Sequence, residues 1–264
     1  MTDSRGSFIW YELMTTDADG AAAFYAAVVG WNIVGEAPSD PASMDYRHIV
    51  RADGGNTGGL LQLTAHMTQG GARPCWAGYL MVADVDRAIA EITADGGHAL
   101  MPKTTIDVGS FAMVTDPQGV PFYVMSPIAG AGHEGQKSDA CDRWKPGHVS
   151  WNELYTSDVE AAKSFYAKYF DFQFKDSMPM GDMGDYWFID HGGEQIGAMM
   201  QKPPHVPFNG WNYYIRVAGI DAAKASVEAN GGKVLHGPME VPGGDWILNG
   251  IDPQGAMFAL VGAK

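Results

Sequence analysis

Trp151-Asn-Glu-Leu-Tyr-Thr-Ser-Asp158 leads directly into Val159-Glu-Ala-Ala-Lys-Ser-Phe-Tyr166. The chain carries the same passage 141 residues earlier, as Trp10-Tyr-Glu-Leu-Met-Thr-Thr-Asp17 followed by Ala18-Asp-Gly-Ala-Ala-Ala-Phe-Tyr25. Nine of the 22 positions from Trp10 to Trp31 are identical to those from Trp151 to Phe172, which marks a duplication. Each copy reads as a strand running into a helix. Val149, Trp151 and Glu153 alternate onto one face of the strand. Asp158 occupies the N-cap position, where its carboxylate can accept an otherwise unpaired backbone N–H. Beyond it, Ala162, Phe165, Tyr166 and Tyr169 recur at helical spacing, as Ala21, Phe24, Tyr25 and Val28 do in the first copy. The pattern predicts a strand buried on one side and an amphipathic helix that covers a sheet.

Outward from these stretches, residues 32–36, 44–51 and 57–63 read as short strands, with Asp53-Gly54-Gly55-Asn56 as the turn between the last two. A second round opens with a strand over 76–82. Its helix starts after Asp84, carries Val85, Ala88, Ile89 and Ile92 on its apolar side, and closes at Gly96-Gly97. Three more strands follow, the last entered through Asp116-Pro-Gln-Gly119. The second half repeats the programme, with strands at 174–178, 186–190 and 195–200, then a strand over 211–217 and a helix over 220–230. It ends through Asp252-Pro-Gln-Gly255, identical to the earlier turn. The stretch from Pro127 to Gly147 lacks an apolar period and reads as a linker. The sequence therefore predicts an α+β protein of four βαβββ modules, paired into two domains at residues 1–128 and 145–264 and joined by a linker at 129–144. Two such modules together would enclose a hollow of the kind that lines ligand cavities. No glycine pair precedes a helix as a phosphate-binding loop does, which argues against a nucleotide fold.

The bulk numbers narrow the function classes. With 264 residues the chain can fill two cores, and 46% hydrophobic with 18% charged residues describes a globular protein. A net charge of −14 argues against a nucleic-acid partner, which would need a basic footprint, and slightly favours cationic small ligands. Cys75 and Cys141 form no framework or CxxC motif, the beginning of the chain shows no signal-peptide pattern, and no apolar stretch approaches a membrane span. The reading is of a soluble cytoplasmic protein with no membrane partner.

Four βαβββ modules, an Asp followed seven residues later by Phe-Tyr, and a D-P-x-G turn before the last strand resemble the vicinal oxygen chelate superfamily of glyoxalases, bleomycin-resistance proteins and extradiol dioxygenases. The double-length chain with W-x-E-L in both halves is similar to its two-domain glyoxalase-like branch, related to the mycobacterial 27 kDa antigen. The resemblance implies metal ligands on the first and last strands of each module. Carried onto this sequence, those positions are Trp10, Trp151, Ala77, Asn212, Tyr123 and Ala259, with Gln62 and Met200 or Gln201 for the remainder. An indole cannot coordinate, and zinc or harder cations want imidazole, thiolate or carboxylate ligands. The expectation is that the usual metal site is lost and that no cofactor is needed.

What remains are Glu12 and Glu153, which by period two share a face with the two tryptophans. A desolvated carboxylate has a raised pKa that suits general acid or base work. It can equally anchor a cationic or hydroxylated ligand, or stabilise its own module. Trp10, Trp151, Trp211, Tyr123 and Asn212 are the candidate walls of a ligand pocket. Among the histidines, His148, His191, His205 and His236 crowd the second half, and His191 with Glu194 sits in a hairpin turn. Three functions stay open at this point. The first is a small-molecule binding protein or metal-independent lyase or isomerase using Glu153 and Glu12. The second is a metal-dependent glyoxalase or dioxygenase with displaced ligands such as His148, His191 or Glu194. The third is a non-catalytic protein that sequesters a drug. The sequence leaves a homodimer open.

Overall fold

The structure, a computed structural model, describes residues 4–40, 43–128, 137–204 and 206–264. Half of the expected linker, residues 129–136, and His205 lie outside the described residues.

The four modules follow one another along the chain. The first holds β1 (Phe8–Thr15), α1 (Ala18–Val29), β2 (Asn32–Val34), β3 (Tyr46–Val50), β4 (Asn56–Gln62) and a one-turn helix α2 (Ala65–Gln69). The second holds β5 (Cys75–Met81), α3 (Val85–Ala94), β6 (His98–Ala99), β7 (Thr104–Ile106), β8 (Gly109–Thr115) and β9 (Pro121–Pro127). The third holds β10 (Val149–Thr156), α4 (Val159–Phe170), β11 (Ser177–Pro179), β12 (Asp185–His191) and β13 (Glu194–Gln201). The fourth holds β14 (Gly210–Gly219), α5 (Ile220–Ala229), β15 (Lys233–Glu240), β16 (Trp246–Ile251) and β17 (Met257–Ala263). The caps are those the sequence called for. Asp17 accepts from Gly20 N at 3.0 Å, Asp84 from Arg87 N at 2.9 Å and Asp158 from Ala161 N at 3.0 Å.

Strands β1–β9 belong to a nine-stranded sheet and β10–β17 to an eight-stranded one. Within the modules the orders are β2-β3-β4-β1, β5-β9-β8-β6, β11-β12-β13-β10 and β14-β17-β16-β15, with β7 added beside β8. The first strand of each module thus pairs in parallel with its last strand, because the helix returns the chain to the same end of the sheet. The expectation that this first strand is buried on one side is corrected. Every residue of β1 except Trp10 is buried, and in β10 only Trp151 and Tyr155 reach intermediate exposure. An inner strand with parallel pairing is covered on both faces, so the alternation of Trp and Glu does not report a wet side.

The chain forms two compact units. One comprises Trp10–Trp76, Asp139–Trp151 and Asn212–Lys264; the other comprises Met1–Ile9, Ala77–Ser138 and Asn152–Trp211. In the first, α1 packs on α5, Ser226 Oγ donates to Ala27 O at 2.8 Å, and Phe24 meets Phe258 edge-on at 5.6 Å. In the second, Phe122 packs among Phe165, Tyr166 and Phe170 of α4, and the Tyr169 hydroxyl donates to Glu91 O of α3 at 3.0 Å.

Each unit carries the same buried clasp. The Tyr25 hydroxyl donates to Asp252 Oδ2 at 3.1 Å and accepts from Trp76 Nε1 at 2.9 Å. In the other unit the Tyr166 hydroxyl donates to Asp116 Oδ2 at 3.2 Å and accepts from Trp211 Nε1 at 3.1 Å. The second carboxylate oxygen of each aspartate caps its own D-P-Q-G turn, accepting from Gln254 N and Ala256 N, or from Gln118 N and Val120 N. Burial raises the pKa of both carboxyls. The Phe-Tyr and D-P-Q-G motifs are thus two ends of one hydrogen-bonded joint.

Candidate functional site

Glu12 lies on β1 opposite Gly59 of β4, and Tyr46 lies on β3 opposite Leu61. Glu12 is 3% exposed, and its carboxylate accepts the Tyr46 hydroxyl proton. The same hydroxyl oxygen accepts from Trp10 Nε1 at 2.9 Å. A phenol has one proton to give, so an N–H arriving at its oxygen points that proton at the carboxylate. Burial and the charge of Glu12 raise the Tyr46 pKa, which keeps Tyr46 a donor. A Cβ at position 59 would collide with the Tyr46 hydroxyl, so Gly59 makes room for the pair. His48 stands edge-on to both Trp10 and Tyr46, with ring centroids 5.9 Å from each. Burial, aided by Glu12, pushes the Cys75 thiol up to about 12, which removes Cys75 from consideration as a nucleophile.

The third module repeats the pair on different walls. The Tyr186 hydroxyl donates to Glu153 Oε1 at 2.7 Å, and Glu153 lies opposite Ala198 of β13. Phe188 stands edge-on to Tyr186 at 5.8 Å, at the place in the strand that His48 holds in the first module. Next to Tyr186 on β12, Trp187 lines a surface cavity of about 390 Å³ with Asp182, Met183, Asp185 and Gln201. Lys163 sits over the Trp187 ring at 3.4 Å.

The other expected site residues have specific placements. Trp151 packs against the buried Tyr214, Ala259 and Val261, and the Arg143 guanidinium lies 5.1 Å from its ring. Asn212 donates through Nδ2 to Asn249 Oδ1 at 2.8 Å. Tyr123 is stacked on Tyr79 at 4.2 Å, and Trp211 serves the Tyr166 clasp. His191 contacts Arg5 O at 2.8 Å while Glu194 pairs with Lys137 at 3.6 Å, so those two do not converge. Sequence reasoning missed Tyr46. The signal was present, because Asp45-Tyr46-x-x-Ile49 recurs as Asp185-Tyr186-x-x-Ile189. It also missed that Asp53, Asp139 and His148 come together, with one donor atom from each within 4.8 Å of the others.

Two stretches of the chain, residues 7–124 and 145–260, match the family model described as the Glyoxalase/Bleomycin resistance protein/Dioxygenase superfamily. The chain belongs to that superfamily. Among curated relatives it is 28% identical to "Putative glyoxylase CFP32" of Mycobacterium tuberculosis, over 97% of this chain and 95% of that protein. It is 26% identical to the anthracycline biosynthesis protein DnrV of Streptomyces peucetius, over 97% of this chain and 93% of that protein. Among solved structures it is similar to the Mn(II)-bound glyoxalase from Novosphingobium aromaticivorans (TM-score 0.63, 18% identity, 98% of this chain and 82% of that one). It is also similar to a homoprotocatechuate 2,3-dioxygenase variant from B. fuscum (TM-score 0.66, 15% identity, 98% and 72%). At those identities the structures speak for the fold.

The residues at the superfamily's ligand-bearing positions do not fit a metal. The Trp10 indole is spent on Tyr46, Tyr123 on a stacked ring and Asn212 on another amide, while Ala77 and Ala259 are buried and bring no donor atom. Among the described residues no helix is long and apolar enough to cross a membrane.

Proposed function

We propose that this chain is a metal-independent member of the superfamily that binds a small organic molecule against Glu12 and Glu153, in halves spanning residues 1–128 and 145–264. The observation that carries the reading is the repeated Glu–Tyr pair, a buried carboxylate on the strand whose ligand position holds tryptophan. Each carboxylate has a fixed proton donor in Tyr46 or Tyr186. A carboxylate held this way can anchor a hydroxyl or cationic group, or exchange a proton with a bound carbon acid in lyase or isomerase chemistry. Trp10, bonded to Tyr46, supplies aromatic surface beside Glu12. The strongly acidic chain suits a neutral or cationic ligand.

The test is a ligand screen on chelator-treated protein, read by thermal shift and by turnover. Its panel contains a polycyclic anthracycline, since two relatives are named for that biosynthesis, a glutathione hemithioacetal and a catechol. A ligand that binds in the presence of EDTA supports the reading. Tight stoichiometric binding without turnover makes the protein a sequestering one. Binding that appears only with added Mn2+ or Fe2+ overturns metal independence and returns the chain to glyoxalase or dioxygenase chemistry.

A further inference from the structure

His148, just ahead of β10, is 1% exposed, and its two ring nitrogens have unlike surroundings. Nδ1 lies 3.1 Å from Pro146 O, a contact in which Nδ1–H donates and Nε2 is the ring nitrogen left to face the carboxylates. Nε2 is fully buried and has no hydrogen-bond partner among the described residues. It faces Asp53 Oδ2 at 3.7 Å and Asp139 Oδ2 at 3.9 Å. A buried ring nitrogen that faces two carboxylates beyond hydrogen-bond distance of either leaves a gap between three donor atoms that a cation can fill. Asp53 comes from the β3–β4 turn, where Gly55 N donates to its Oδ1 at 2.9 Å and holds its pKa below the usual carboxylate range. Asp139 comes from the segment that enters β10.

We propose that His148, Asp53 and Asp139 form a binding site for a divalent transition ion of the zinc class. One imidazole nitrogen and two carboxylate oxygens are a donor set zinc accepts, with bonds of about 2.0–2.2 Å and a fourth position left for water. In a tetrahedron such bonds place donors ~3.4 Å apart, and the three donor atoms here already lie within 4.8 Å of one another. The backbone acceptor on Nδ1 is the outer contact that fixes a metal-binding histidine in its tautomer. Arg51, buried beneath the group, donates to Asp139 Oδ2 at 2.5 Å and to Asp53 Oδ1 at 3.2 Å, so it orients both carboxylates and offsets one of their two charges. The aspartate side chains are about half exposed, at 48% and 55%, which gives the ion a route in from solvent. Lys145, the nearby ammonium, is paired with Asp142 at 3.0 Å. None of these three residues is at one of the superfamily's ligand-bearing strand positions, and none is Glu12 or Glu153.

The experiment is calorimetric titration of the chelator-stripped full chain with Zn2+, and with Co2+ followed by its visible absorption. The expected result is about one equivalent of Zn2+, with affinity falling at least tenfold in Asp139→Asn and in His148→Gln and unchanged in His191→Gln. Asp139 is half exposed, so Asp139→Asn keeps the test decisive where His148→Gln fails to fold; circular dichroism distinguishes the two cases. Absence of Zn2+ binding, or an affinity that survives Asp139→Asn in the folded chain, overturns the proposal.

Discussion

The Tyr–Asp–Trp clasps and the Glu–Tyr pairs are both duplicated, but they have diverged unequally. The clasps keep the same three residue types, with distances of 3.1 and 2.9 Å in one unit and 3.2 and 3.1 Å in the other. The Glu–Tyr pairs keep their hydrogen bond and change their walls. Gly59 and His48 accompany the first, Ala198 and Phe188 the second. A joint that must close two modules tolerates one solution, because any missing partner leaves a buried polar atom unsatisfied. A pocket wall is free to follow its ligand. On the proposed function the clasps belong to architecture and the Glu–Tyr surroundings to ligand binding, which predicts two pockets of differing preference.

The largest effect expected is at the clasps. Tyr25→Phe and Tyr166→Phe each strand a carboxylate oxygen and an indole N–H, and each costs about 1–3 kcal/mol in urea unfolding. Equal losses support shared architecture; a loss in only one breaks the symmetry. Gly59→Ala comes next, because its methyl strikes the Tyr46 hydroxyl; a cost of about 1–3 kcal/mol is expected. The reverse change, Ala198→Gly, costs ~1 kcal/mol or less. A smaller effect belongs to pH. Burial raises the Asp252 carboxyl above its ordinary 3.8, so the folded chain holds that proton more tightly than the unfolded one. Its contribution is present below 3.8 and lost as pH rises through the folded value. Asp252→Asn cannot titrate, so its stability deficit is widest at the acid end and narrows as pH rises, read from urea midpoints at stepped pH. The smallest signal is chemical. With its thiol pushed up to about 12, Cys75 resists iodoacetamide at pH 8 in the folded chain and reacts on unfolding; rapid native labelling would contradict its placement beside Glu12.

Much of this was legible in the sequence, and the parts that were not share a cause. Caps, module order and hairpin turns are local, so Asp17, Asp158 and Gly54-Gly55 announced them. The Phe-Tyr and D-P-Q-G motifs were visible, but their meaning was not, because the Tyr25–Asp252 bond joins residues 227 apart. Tyr46 lies outside the longer W-x-E-L repeat, although Asp-Tyr-x-x-Ile stands in both halves. Asp139 could not be singled out from a stretch without apolar period; only the fold brings it to His148 and Arg51. The one-sided strand failed because alternation records side-chain type and not what covers the far face.

The central claim is that the Glu–Tyr pairs are where a small molecule binds. The most direct measurement is the affinity of a ligand found in EDTA, compared between the wild-type chain, Glu12→Gln, Glu153→Gln and the double variant. The account predicts at least a tenfold weakening in one single variant, about 1.4 kcal/mol or more, and loss of binding in the double variant with the fold intact. Unchanged affinity in the folded double variant would contradict it and make both glutamates part of the architecture.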